Sequence, residues 1–308
     1  MTAAWVAGTV RARAMARRVL GADAARELAA ARSLPEAQRI LESTPFRGAA
    51  EPGLSLAAAQ HAVAETILWD LRVLAGWLPR DGVSLLRLLA GWFEIANVDE
   101  LLQAMAARPS GPEFQLGALA TAWPRLREAG SAAELRRALA ASAWGDPGGD
   151  SSREIRLGMR TRWAARVAAS GERARAWAAA ATALLSSTEP ADRAMTATTG
   201  DADGRGGAVG RSTALARAAS GRPRRATLTP PRSPLAPAGA PPEPAQAEAD
   251  WWRRVERDGQ LLLRSSAADS GPVLGAVVVM AADARRVRAA LASAARGGRG
   301  LGAYDALV

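Results

Sequence analysis

The chain has 308 residues, no cysteine, a single histidine and a formal net charge of +10. Without cysteine there is no disulfide framework and no thiolate metal site, and one histidine removes most zinc and histidine-based catalytic arrangements. All forty Lys+Arg positions are Arg, which in so alanine-rich a chain most simply reflects GC-rich codon usage rather than selection for phosphate forks.

Ala and Leu, the best helix formers, are abundant, while there are only three Phe and one Tyr. We therefore expect an all-α protein, with the ten Trp supplying most of the large aromatic packing. The length allows one large domain or two or three small ones. Arg11, Arg13, Arg17 and Arg18 interrupt the N-terminal run, so no secretory signal is expected. The longest strongly apolar run, Val273–Ala282, is about ten residues. A membrane-spanning helix needs about twenty, so the expectation is a soluble or peripheral protein.

In chain order, Ala3–Leu20 reads as a helix with Trp5, Ala12, Met15 and Val19 on one face and its arginines on the other. Ala24–Ala31 follows. Ser33 then stands as N-cap of a third helix, with Pro35 in the first turn and Glu36 three residues on, a capping-box pattern. That helix ends at Thr44-Pro45.

From His61, apolar residues at Val63, Ile67, Leu71, Leu74 and Leu78 form one helical face. Pro79–Gly82 breaks the helix. A second helix presents Leu85, Leu88, Leu89, Trp92 and Ile95, and a third starts near Asn97 with Val98, Leu101, Leu102 and Met105. Leu71 and Leu88 are expected in the core. After a joint at Arg108–Pro112, two helices are expected over Glu113–Glu128 and Ala132–Ala143, then a longer helical stretch over Ser152–Ser187. Between Thr199 and Ala245, Gly, Pro, Ala, Arg, Ser and Thr dominate and large apolar residues are few. Such a stretch buries too little surface to offset ordering entropy, so we read a disordered linker. Order returns at Asp250. The last helix, Val273–Ala295, repeats Val273, Val277, Met280, Ala284, Val287 and Leu291, with Asp283, Arg285, Arg286 and Arg288 opposite. It closes at Gly297-Gly298.

Three sets of residues resemble one known family, the C-type stalk subunits of the V/A-type rotary ATPases, whose eukaryotic counterparts are termed d-type. The first is Trp5, Arg11, Arg13 and Leu20, then Ser33-Leu34-Pro35-Glu36-Ala37 and Leu41-Glu42-Ser43-Thr44-Pro45-Phe46, where the family commonly has Tyr at the last position. The second is the central hairpin, followed by a large apolar residue, an acid, an Asn and a leucine pair. The third is Asp283–Arg288 with Arg296-Gly297-Gly298-Arg299-Gly300-Leu301. The resemblance implies a divergent member with three similar helical lobes in a funnel. The division expected is 1–108, 109–198, a linker at 199–247, and 248–308. It also implies a non-catalytic central-stalk protein at the cytoplasmic face of the membrane. Its partners would be the D-type and F-type central-shaft subunits and the membrane rotor ring, with no cofactor and no small-molecule substrate.

Catalytic signatures are missing. Gly204-Arg205-Gly206-Gly207 lacks both the Gly-Lys-Ser/Thr ending and a preceding strand of a phosphate-binding loop. Glu94 and Asp99 could form an acid–base pair, but with no partner histidine and with Asn97 able to cap a helix, capping is the simpler role. No catalytic residue is assigned. Arg13, Arg17, Arg285 and Arg288, opposite the apolar stripes of the first and last helices, are the candidate partner-interface residues. The competing reading, a basic helical nucleic-acid-binding or scaffold protein, rests on net charge alone. The Val83-Ser84-Leu85-Leu86 start of the second central helix is too apolar for a DNA groove.

Overall fold

The computed structural model describes residues 3–172, 174–179 and 244–308. Their helices are α1 (Ala3–Ala16), α2 (Ala22–Ala29), α3 (Leu34–Leu41), α4 (Leu56–Ala75), α5 (Arg80–Met105), α6 (Trp123–Leu126), α7 (Ala132–Ala140), α8 (Ser152–Ala169), α9 (Pro244–Arg264), α10 (Ser270–Ala294) and α11 (Leu301–Leu307). Residues 174–179 are helical as well. There is no strand among the described residues, so the protein is all-α as its composition implies. The expected linker at 199–247 lies outside the described residues up to 243, and its last positions form the first turn of α9.

Local signals start the helices. Ser33, Ser55, Ser131 and Ser151 each accept a backbone N–H with their side chains, satisfying donors that a helix start leaves free. At Ser33 the cap is the expected one, but the Glu36 carboxylate accepts from Arg32 N–H at 2.9 Å rather than from Ser33 itself.

The core joins the two ends of the chain. Helix α10 packs against α1, α2, α3, α4, α9 and α11. Its predicted stripe, from Val273 to Leu291, is buried throughout and shares one cluster with Met15, Leu28, Leu41, Val63 and Leu71. Each such Leu or Val contributes about 1.5–3 kcal/mol by leaving water. Close approach of α9 and α10 depends on Gly259 and Gly275. A Cβ on Gly275 would stand 2.6 Å from the carbonyl oxygen of Gly259, which only glycine avoids. On the other flank, α5 packs against α8. Trp163 Nε1 donates to the Leu88 carbonyl at 2.7 Å, and its ring lies over Gly91, where a Cβ would come within 3.1 Å.

Four expectations are revised. Helix α5 runs unbroken from Arg80 to Met105, because Asn97 turns its side chain to a distant loop instead of capping a new helix. The buried face of α5 carries Leu86, Phe93, Ile95 and Val98, while Leu88 is only half-buried; Leu71 is buried as expected. Glu113–Glu128 is not a helix: Gly117 at φ +54° and Pro124 divide it into a 3-10 turn, Gly117–Leu119, and the short α6. The polar side of α10 is not a solvent face. Asp283 is 1 % exposed and accepts from the N–H groups of Leu20 and Gly21, both at 2.8 Å, tying down the α1–α2 turn.

Candidate partner-binding cleft

Of the four candidate interface arginines, one stands free in solvent. Arg17 follows the end of α1 and is exposed. Arg13 donates from Nε to the Leu263 carbonyl at 3.0 Å and from Nη2 to the Ser265 carbonyl, tying α1 to the end of α9. Arg285 pairs with Glu248 at 3.3 Å and lies 5.5 Å over the Trp252 ring; burial lowers its pKa despite Glu248. Arg288 is deeper still. Its Nε has no hydrogen-bond partner among the described residues, and burial alone lowers its pKa to about 10. Arg285 and Arg288 were expected on an open polar face, whereas α9 and α11 pack around α10 and draw them inward. Neighbouring Arg286 pairs with Glu256.

The two α5 carboxylates are not a pair for acid–base chemistry. Glu94 is fully buried and accepts three hydrogen bonds, from Thr121 N–H at 2.6 Å, Ala122 N–H at 2.8 Å and Trp144 Nε1 at 2.7 Å. Asn97 exchanges two bonds with the Phe114 backbone: its Nδ2 donates to the carbonyl at 2.9 Å and its Oδ1 accepts from the N–H at 2.7 Å. Asp99 accepts from Arg156 at 3.0 Å and Arg160 at 2.7 Å, both on α8. One helix face thus organises the loop over residues 114–122, Trp144 and α8. Glu94 does hold helix-start donors, since Ala122 is the N-cap of α6, but it reaches them across 28 residues rather than within its own helix.

A cleft of about 900 Å³ lies between the end of α1, the α3–α4 connection and α4. Its wall is the Thr44-Pro45-Phe46 turn. The Thr44 hydroxyl donates to the Leu41 carbonyl at 2.8 Å and accepts from Phe46 N–H at 3.2 Å, and the Phe46 ring is buried beneath. On α4, His61 stacks on Phe114 at 4.2 Å and stands 3.4 Å from Glu65. Trp69, 59 % exposed, borders the cleft with the Arg72 guanidinium 5.6 Å from its ring. Arg11, Arg18 and Arg47 line the cleft, as does Asp70, whose pKa is raised by burial against the opposing pull of Arg18 and Arg11. Sequence reasoning missed this cleft. The available signal was Trp69, a large aromatic lying off the Val63–Leu78 stripe.

Among the described residues no cluster of His, Asp or Glu could hold a metal ion, and no described helix is long and apolar enough to cross a membrane. Comparison with curated proteins finds no match. Against family models, residues 9–150 match the ATP synthase (C/AC39) subunit. That span holds the cleft, the Ser33–Phe46 motifs and the whole Glu94–Asn97–Asp99 face up to Trp144. The family matched over residues 9–150, a little under half of the chain, is the one that its motifs resemble.

Proposed function

We propose that this protein is a non-catalytic central-stalk subunit of a V/A-type rotary ATPase. In this reading it seats the foot of the shaft, built of D-type and F-type subunits, on the cytoplasmic loops of the membrane rotor ring. It passes torque between ATP turnover and proton or sodium flow. The observation that carries the proposal is the family match over residues 9–150. The scaffold supports it. Helices hold their backbone hydrogen bonds internally, and here the terminal segments of the chain are packed into one core, which suits a rigid coupling. The polar residues of α5 are spent on holding loops and helices together, as a load-transmitting body requires. The location that follows is peripheral, at the cytoplasmic face. Arg17 is the one of the four candidate arginines whose exposure suits it to partner contact.

The test is assembly. The full chain, tagged and mixed with purified shaft subunits and detergent-solubilised ring, should co-elute with both as a single complex. Elution of the folded chain alone, with shaft and ring each competent to bind a known stalk protein of this family, overturns the proposal.

A further inference from the structure

Three described arginines have an Nε sealed from solvent and without a hydrogen-bond partner: Arg11, Arg160 and Arg288. Two of them have their charge answered nearby. Arg160 donates from Nη2 to Asp99 at 2.7 Å, and Arg11 acts on Asp70. Arg288 differs. Burial is the sole influence on its pKa, so no described acid offsets its charge, and no described group accepts from its guanidinium. Its neighbours on α10 are matched, Arg285 with Glu248 and Arg286 with Glu256. The mount is fixed, since Gln60 Nε2 on α4 donates to the Arg288 carbonyl at 2.9 Å. Arg288 as a residue is only half-buried, so with Nε sealed it is the Nη ends of the guanidinium that meet solvent. A donor buried without an acceptor is costly, and in a folded protein such a group calls for a ligand or ion to explain it.

We propose that Arg288 is the seat of an anion-binding site that takes one oxyanion, a carboxylate or a phosphate group, across the Nη ends of its guanidinium. The planar fork matches two oxygens of such a group, and the partly dry setting strengthens the pair beyond what an exposed arginine offers. Charge complementarity selects the sign of the ligand, because no described acid competes for the site. It also limits the ligand to one group. Arg285 and Arg286 are neutralised by α9, so the site does not extend into a basic stripe that could track a nucleic-acid backbone. Binding offsets the stability cost that the unpaired charge imposes on the free chain. The proposal goes beyond the stalk reading and does not rest on it, since it concerns one side chain of the isolated protein.

The test is a set of thermal melts of the full-length chain at constant neutral pH and ionic strength, with sodium chloride replaced stepwise by sodium acetate or by sodium phosphate. The two salts distinguish a carboxylate from a phosphate ligand, and a gain from either supports the site. At about ten times its Kd, a bound anion lowers the unfolding constant about elevenfold, a rise of roughly 3–6 °C in melting temperature. Arg288→Met should start from a higher melting temperature in chloride and show none of that rise, because it removes both the unpaired charge and the fork. Arg288→Lys keeps the charge without the fork and should retain only part of the rise. In nitrogen-15 spectra of the wild-type chain, the Arg288 Nε–H signal, identified by its loss in Arg288→Met, should shift in step with the melts. An equal gain in wild type and Arg288→Met would place the anion elsewhere and overturn the proposal. So would no gain from either anion. A lower melting temperature or failed folding of Arg288→Met in chloride would overturn it as well, since the guanidinium would then be satisfied within the chain.

Discussion

Replacing Glu94 tests whether this buried acid is structural rather than chemical. Its carboxylate is the sole acceptor shown for Thr121 N–H, Ala122 N–H and Trp144 Nε1, at 2.6–2.8 Å. Hydrogen bonds to a charged group are each worth about 1.5–3 kcal/mol, and a buried donor stranded without an acceptor costs about as much. Three such losses do not add in full, because the loop relaxes and water enters the vacated space. For Glu94→Ala we expect a loss of about 3–6 kcal/mol, a large part of the roughly 5–15 kcal/mol that holds a typical domain folded. Glu94→Gln keeps one acceptor oxygen but turns an NH2 toward at least one of the three donors, so about half that loss is expected. Urea titration followed by tryptophan fluorescence measures both. Hydrogen exchange should localise the damage to residues 114–126 and Trp144. A cost below about 1 kcal/mol for Glu94→Ala would refute the reasoning, since the donors would then be satisfied elsewhere and the carboxylate free for another task.

The packing of α4 and α5 separates two leucines: Leu71→Ala and Leu86→Ala should each cost about 2–5 kcal/mol and Leu88→Ala clearly less, read as urea midpoints, because Leu88 is only half-buried. Arg288 carries its charge into the interior with no acid to offset the lost hydration, a penalty present in full at every pH below about 10; Arg288→Met should raise the melting temperature at pH 7, by an amount equivalent to about 1–3 kcal/mol. Burial pushes the Tyr304 hydroxyl from 10.0 up to about 12. A pKa raised on folding stabilises fully below the unfolded value and is lost as pH rises through the folded one, so thermal melts should fall between pH 10 and 12, and Tyr304→Phe should remove that component.

The sequence made legible what rests on local spacing. The Val273–Leu291 stripe and the Ser33 N-cap each depend on residues within a few positions, and both are found as read. Where a distant partner decides, the sequence misleads. Asp283, Arg285 and Arg286 look like a solvent face of α10 until Leu20, Gly21, Glu248 and Glu256 arrive from elsewhere in the chain. Asn97 looks like a cap because nothing nearby announces Phe114 as its partner. Glu113–Glu128 looks helical by composition, yet Gly117 and Pro124 interrupt it and Glu94 claims the N–H groups between them. The cleft was invisible for the same reason: it gathers Arg11 and Arg18, the Thr44 turn and Trp69 from three separate stretches. The basic charge that favoured a nucleic-acid partner is drawn inward in α10, where Arg285 and Arg286 pair with Glu248 and Glu256 and Arg288 is buried, so it forms no stripe there.

The proposed coupling of shaft to ring is tested most directly by ion transport in the complex with and without this protein. Membrane vesicles bearing the rotary ATPase, stripped of this protein, should hydrolyse ATP without building an ion gradient. Adding back the purified chain should restore ATP-driven pumping, measured with a pH-sensitive dye or by sodium uptake. Pumping that is equally strong in stripped vesicles, or that stays absent after the chain has rebound, would contradict the account.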